Sequence, residues 1–157
     1  MILNLVAGVK DKVKAYFKRV KSELLPECPH RRVVSDHTKD GYFEQFSQAL
    51  RETDILWTKP PELSFYAGLG IPLILTPTIG SHEEYNKKWL TEIHAALPQE
   101  DPRYTDEWLF DMLMDTRFAE CALDGFMRVR KHGLFKILEV LKTGSLNEDL
   151  PSRSPYV

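Results

Sequence analysis

Cysteine is scarce: the 157 residues hold two, Cys28 and Cys121, with no Cys-x-x-Cys and no histidine or cysteine at metal-ligand spacing around them. That excludes a disulfide scaffold and a thiolate metal centre, and predicts two free thiols, with Cys121 on an apolar helical face in the core. Long apolar runs are absent too. None approaches the roughly 20 residues a membrane-spanning helix needs, and no transmembrane segment is expected. Residues 1–6 are apolar, but no basic region precedes them and they stop at Gly8, so they read as a first strand rather than a signal peptide. A cytoplasmic location is the corresponding expectation. Charge of one sign is also missing, the formal net charge being -2. The basic residues are not interleaved with exposed-looking aromatics and form no recognised motif, so no nucleic-acid partner is expected. Gly-x-Gly-x-x-Gly, a Walker loop, a nucleophile elbow and a Ser-His-Asp order are all lacking, which leaves dinucleotide, P-loop and hydrolase readings without their motifs.

What is present is an ordinary soluble composition, 43% hydrophobic and 28% charged, long enough for one domain with one core. Short apolar runs alternate with amphipathic ones. Strands are expected at residues 2–6, 32–35, 54–57 and 73–76. Between them fall helices whose buried sides would be Val13, Phe17, Val20 and Leu24; then Phe43, Phe46, Ala49 and Leu50, capped by Asp40; then a short helix from Pro61 to about Leu69. Gly70 suits the left-handed end of that short helix, and the continuous run after Pro72 suits a strand buried on both faces. Ser81-x-x-Glu84 fits a capping box opening a helix with Trp89, Leu90, Ile93 and Leu97 on one side.

The alternation predicts a Rossmann-like α/β three-layer sandwich, with a parallel sheet of four or more strands and helices on both faces. After Pro98 the pattern turns helical: Trp108, Leu109, Met112 and Leu113, then Phe118, Ala119, Ala122, Leu123 and Phe126. A break at His132-Gly133 precedes Leu134, Ile137, Leu138 and Leu141. The expected organisation is a single domain over 1–143, with a core at 1–97, a helical segment at 104–143 packed across the sheet, and a loose tail at 144–157. Residues 1–32 carry eight basic residues against three acids, which reads first as a solvated helix face.

Turn chemistry is concentrated in residues 58–86. Two helix N-termini follow two neighbouring strands there, one at 58–62 and the other at 80–84. Exposed N–H groups and the helix dipole make such ends anion sites, and a diphosphate could bridge them. Lys59 is favourable beside a helix N-terminus only if it points away or meets an anion. Glu83 and Glu84 favour the second dipole yet repel phosphate; a carboxylate such as Glu62 or Glu83 can instead accept hydrogen bonds from ribose or sugar hydroxyls. His82 can hydrogen-bond a phosphate or sugar near neutral pH, or stand as a surface histidine beside a helix cap. His37 follows a strand end, whereas His30, His94 and His132 have no evident partners.

Gly70-Ile71-Pro72, Pro77, Gly80 and Asn86 carry a resemblance. Strand, short helix, Gly-x-Pro, a strand ending in Pro, a Gly-containing turn and an Asn on the next helix is similar to the nucleotide-sugar-binding C-terminal domain of GT-B glycosyltransferases. The order of elements over residues 1–97 and the helical close also look like that domain. The chain departs from the family at Phe65, where the ribose-holding glutamate usually stands, and the family's glutamine corresponds approximately to His82 or Glu83. The resemblance implies a donor site of Gly8, Thr58, Lys59, Glu62, Gly80, Ser81, His82, Glu83 and Asn86. It implies a nucleotide-sugar donor as substrate, no metal and no further cofactor, and a catalytic base on an acceptor-binding domain or chain that 157 residues leave no room for. Two other readings stay open: a non-catalytic interaction module that lost its ligand, with Phe65 filling the crevice, and a flavodoxin-like small-molecule binder with its pocket at another strand pair.

Overall fold

The computed structural model describes residues 2–23, 30–59 and 63–145. Contacts divide the chain into two compact units, Met1–Asp54 and Ile55–Val157. In the first, β1 (Leu3–Gly8) leads into α1 (Asp11–Glu23), β2 (Arg31–Ser35) and α2 (Lys39–Arg51). β1 and β2 pair in parallel from Leu3↔Arg31 to Gly8↔Ser35, with an irregularity between Val6 and Gly8. The N-cap of α2 is Thr38, whose hydroxyl accepts from the Gly41 amide, and Asp40 falls in the first turn instead of capping. Asp36 braces this corner by accepting from the Thr38 N–H at 2.8 Å and from its hydroxyl. Those bonds hold the Asp36 carboxyl below the usual carboxylate range. Ala7, Val34 and Ala49 are the buried apolar residues among those described in this unit, while Phe43 stays 59% exposed. Leu24 lies outside the described residues.

The second unit carries β3 (Leu56–Thr58), α3 (Leu63–Gly68), β4 (Leu73–Leu75), α4 (Ser81–Glu92) and β5 (Ala96–Pro98). A 3-10 turn at Pro102–Tyr104 then leads to α5 (Thr105–Met114), α6 (Arg117–Arg128) and α7 (Gly133–Thr143). The sheet order is β3-β4-β5, all parallel, with Ile74 level with both Trp57 and Leu97. The continuous apolar run is the middle strand, and its three residues are fully buried. Gly70 ends α3 at φ +79, as expected, and the Ile71 N–H reaches back to the Tyr66 carbonyl at 3.2 Å.

The expected parallel sheet of four or more strands is corrected to two parallel sheets among the described residues, of two and three strands. Alternation of strand and helix fixes chain order, but backbone hydrogen bonds decide sheet membership, and the described ladders join β1 only to β2 and β4 only to β3 and β5. Residues 93–97 are a second correction. Helix α4 stops at Glu92, His94 takes a left-handed φ of 57°, and Leu97 enters β5 instead of a helical face.

The core of this unit joins Ile74 and Leu97 to Trp108, Met112, Phe118 and Cys121, so α5 and α6 do pack on the sheet. Leu113, Leu123 and Phe126, which belong to the same apolar helical patterns, are exposed. Burial pushes the Cys121 thiol up to about 11. Its folded pKa therefore lies above the ordinary value of 9.0, so the proton is held more tightly in the folded chain. The stabilisation is complete below about pH 9 and lost as pH rises toward 11. In a Cys28→Ser background, a thiol-reactive disulfide at pH 8 is expected to label Cys121 only as fast as the chain unfolds. Labelling at the rate of a free thiol without denaturant would place Cys121 outside the core.

Candidate functional site

Because β3 and β4 run in parallel register, Thr58 and Leu75 end side by side, and the two segments that leave them begin together. The Thr76 N–H donates to the Thr58 carbonyl at 3.0 Å, and the Gln99 N–H donates to the Leu75 carbonyl at 2.9 Å. Three strand ends thus form one rim, carrying Thr58-Lys59, then 76–80, then Gln99. Parallel sheets present such a rim at their carboxyl ends, where open α/β sheets take ligands. Trp57, pointing the other way by strand alternation, donates its indole N–H to the Gln99 side chain at 2.8 Å and sets its ring edge-on to Trp108.

Thr58 and Lys59 are brought next to the segment leading to Gly80, Ser81, His82, Glu83 and Asn86, as the sequence reading expected of neighbouring strands. Lys59 is exposed and makes no ion pair with another described residue. Glu62 and Pro61, the expected first residue of the short helix, lie outside the described residues. Gly80, with extended backbone, is itself the N-cap of α4 and Ser81 is the first helical residue, so Ser81-x-x-Glu84 is not a capping box. A side chain at Gly80 would meet only the His82 ring, at 3.4 Å. Asn86 is half-buried on α4. Gly8 belongs to the other unit. At φ +67 it closes β1 and lines an open crevice of about 570 Å³ with Lys10, Lys39, Tyr42 and Phe43.

The two carboxylates in the first turn of α4 fold back over the segment before it. Glu83 accepts the Ile79 N–H at 2.8 Å, and Glu84 accepts the Thr78 hydroxyl. They complement the helix dipole and tie down residues 78–79. A phosphate centred on the N-terminus of α4 would face both charges, so the electrostatically open part of the rim is the Lys59 side. Each carboxylate keeps further lone pairs for hydroxyl donors. Phe65 is 61% exposed and sits edge-on to Tyr66.

Sequence reasoning missed two groups at the rim. The Thr76 hydroxyl is buried and has no hydrogen-bond partner among the described residues, and such a hydroxyl at a strand end is a polar group that ordinarily has one. Gln99 could not be placed without β5. The available signal was the pair of threonines flanking Pro77, polar residues directly after a fully apolar strand. No group of three or more potential metal ligands occurs among the described residues, and no described helix is long and apolar enough to cross a membrane. Comparison with protein-family models, curated proteins and solved structures finds no match to the chain.

Proposed function

We propose that the chain is the donor-binding half of a GT-B-like glycosyltransferase, holding a nucleoside-diphosphate sugar at the carboxyl rim of β3, β4 and β5. The observation that supports this most directly is the joining of Thr58-Lys59 to the 76–80 segment by the Thr76–Thr58 hydrogen bond of 3.0 Å. In this reading the same rim offers Lys59, a cation without an ion-pair partner among the described residues, together with hydroxyls and carboxylates, the two chemistries a sugar diphosphate needs. Lys59 meets the diphosphate, and the Thr58 hydroxyl offers a hydrogen bond. Glu83 accepts from ribose or sugar hydroxyls while its other bonds hold the loop. His82 stands at the same helix end as a further donor or acceptor. The acceptor and the catalytic base belong to a second domain or chain in this reading, so the chain binds donor but does not turn it over alone.

A thermal-shift series of the full chain against nucleoside diphosphates and nucleotide sugars tests the proposal, since a ligand bound only by the folded state raises the melting temperature. One nucleotide family is expected to stabilise it. Lys59→Ala is expected to weaken that ligand by about 1.5–3 kcal/mol, roughly ten- to 150-fold in dissociation constant by calorimetry. Lys59 is exposed, so the variant should fold normally. Unchanged affinity removes Lys59 from the site, and no response to any nucleotide overturns the reading.

A further inference from the structure

Helix α7 is built inside out. Its apolar residues recur as Leu134, Ile137, Leu138 and Leu141, the i, i+3, i+4, i+7 stripe that a helix normally turns toward a core. All four are exposed, at 67%, 59%, 43% and 77%, and Phe135 beside them is 66% exposed. The half-buried positions are Lys136, Glu139 and Val140 on the opposite side, and no α7 residue is buried. A stripe roughly 100° wide therefore faces out along an eleven-residue helix.

Charge says what would cover it. Residues 128–142 hold five basic residues and one acid, whereas the rest of the chain holds sixteen against twenty-two. Arg128 is neutralised by Asp124 at 2.9 Å. Arg130, Lys131 and Lys142 are exposed and make no ion pair with another described residue, and Lys131 lies over the Phe126 ring. On the helical wheel Lys142 borders the apolar stripe, while Arg130 and Lys131 lead into its start.

We infer that α7 is an interfacial helix that lays its Leu134–Leu138–Leu141 stripe into an anionic lipid surface, with Arg130, Lys131 and Lys142 at the headgroup level. An anionic bilayer supplies an apolar layer and negative charge in one plane, matching both features together. A second copy seated symmetrically on this stripe would set the same three cations against their counterparts, which disfavours self-association. This inference stands independently of the nucleotide-sugar reading.

The test is co-sedimentation of the full chain with phosphatidylcholine vesicles containing phosphatidylglycerol, against phosphatidylcholine alone. Binding is expected to the anionic vesicles and to weaken as salt is raised. Leu134→Ser with Leu141→Ser should reduce partitioning at least about tenfold. Arg130→Gln and Lys142→Gln should each cost about fivefold. Melting temperatures should stay unchanged, because no α7 side chain is buried. The inference is overturned if anionic vesicles do not bind the chain, or if the double serine variant binds them as well as the parent. It is equally overturned if light scattering finds a dimer that the same variant dissolves while lipid affinity is absent, which would give the stripe to a second copy.

Discussion

Alanine in place of Trp108 is expected to lower the unfolding free energy by about 3–5 kcal/mol, the usual cost of emptying a buried aromatic site. Trp108 is 6% exposed and packs with Ile74, Leu97, Met112, Phe118 and Cys121, so it joins the middle and outer strands to both α5 and α6. Its ring also receives the edge of Trp57, with centroids 5.4 Å apart. The indole N–H donates to the Asp101 carbonyl at 2.9 Å, which fixes the start of the 3-10 turn to α5. Removing the ring deletes all three connections, and a cavity between two helices and a sheet cannot close without moving one of them. Trp108→Phe separates the contributions. It keeps most of the apolar area and loses the N–H, and because Asp101 is exposed its carbonyl can turn to water. A loss of only about 1 kcal/mol is expected there. Urea unfolding followed by far-ultraviolet circular dichroism measures both, since indole fluorescence would be confounded by Trp57 and Trp89. With total stabilities of about 5–15 kcal/mol in ordinary domains, the alanine variant should lose a large share of the whole and unfold at a clearly lower urea concentration. A loss under about 1 kcal/mol for Trp108→Ala would mean that the cluster does not anchor this unit.

The sequence makes β4 easy to read because two physical constraints coincide there: an uninterrupted apolar run, and a Gly-x-Pro turn that no helix can pass through. It hides β5 for the opposite reason. Trp89, Leu90, Ile93 and Leu97 continue the helical period, and the chain leaves it only because His94 adopts a left-handed conformation, which a histidine does not announce. Sheet membership was equally invisible, because alternation is the same whether five strands share one sheet or two. At the rim, the side-by-side ends of β3 and β4, with Thr58 beside Leu75 and Thr76, followed from strand order alone. The behaviour of the glutamates did not. Their charge is legible, but whether Glu83 and Glu84 face a ligand or fold back to Ile79 and Thr78 depends on the path of three loop residues. The stripe of α7 was legible, but not its outward direction, because periodicity shows that a helix has an apolar side without showing what that side meets.

Gly125→Ala should be destabilising by about 1–3 kcal/mol although it replaces glycine inside a helix, where alanine ordinarily gains up to about 1 kcal/mol. The sign is decided by what a methyl group would touch. A Cβ at Gly125 would stand 2.8 Å from the Ala67 carbonyl oxygen and 3.3 Å from the Ala95 Cβ. The first is backbone of α3 and the second leads into β5, so neither can give way as a flexible side chain would. Helix α6 must lift from α3, and Gly68 adds to the difficulty because the same crossing already sets it against Val129. Gly125→Val should cost more, since two further methyl groups enter the same gap. Gly133→Ala is the control: nothing lies within 4 Å of the added Cβ, and a gain of a few tenths to about 1 kcal/mol is expected from the stiffer unfolded chain. Opposite signs for two glycine-to-alanine changes in neighbouring helices, read from urea midpoints, would establish that close approach of α3 and α6 requires Gly125. A neutral or stabilising Gly125→Ala would mean instead that the two helices separate at little cost, and α3, which follows Lys59 in the chain, would then be free to shift relative to the strand rim.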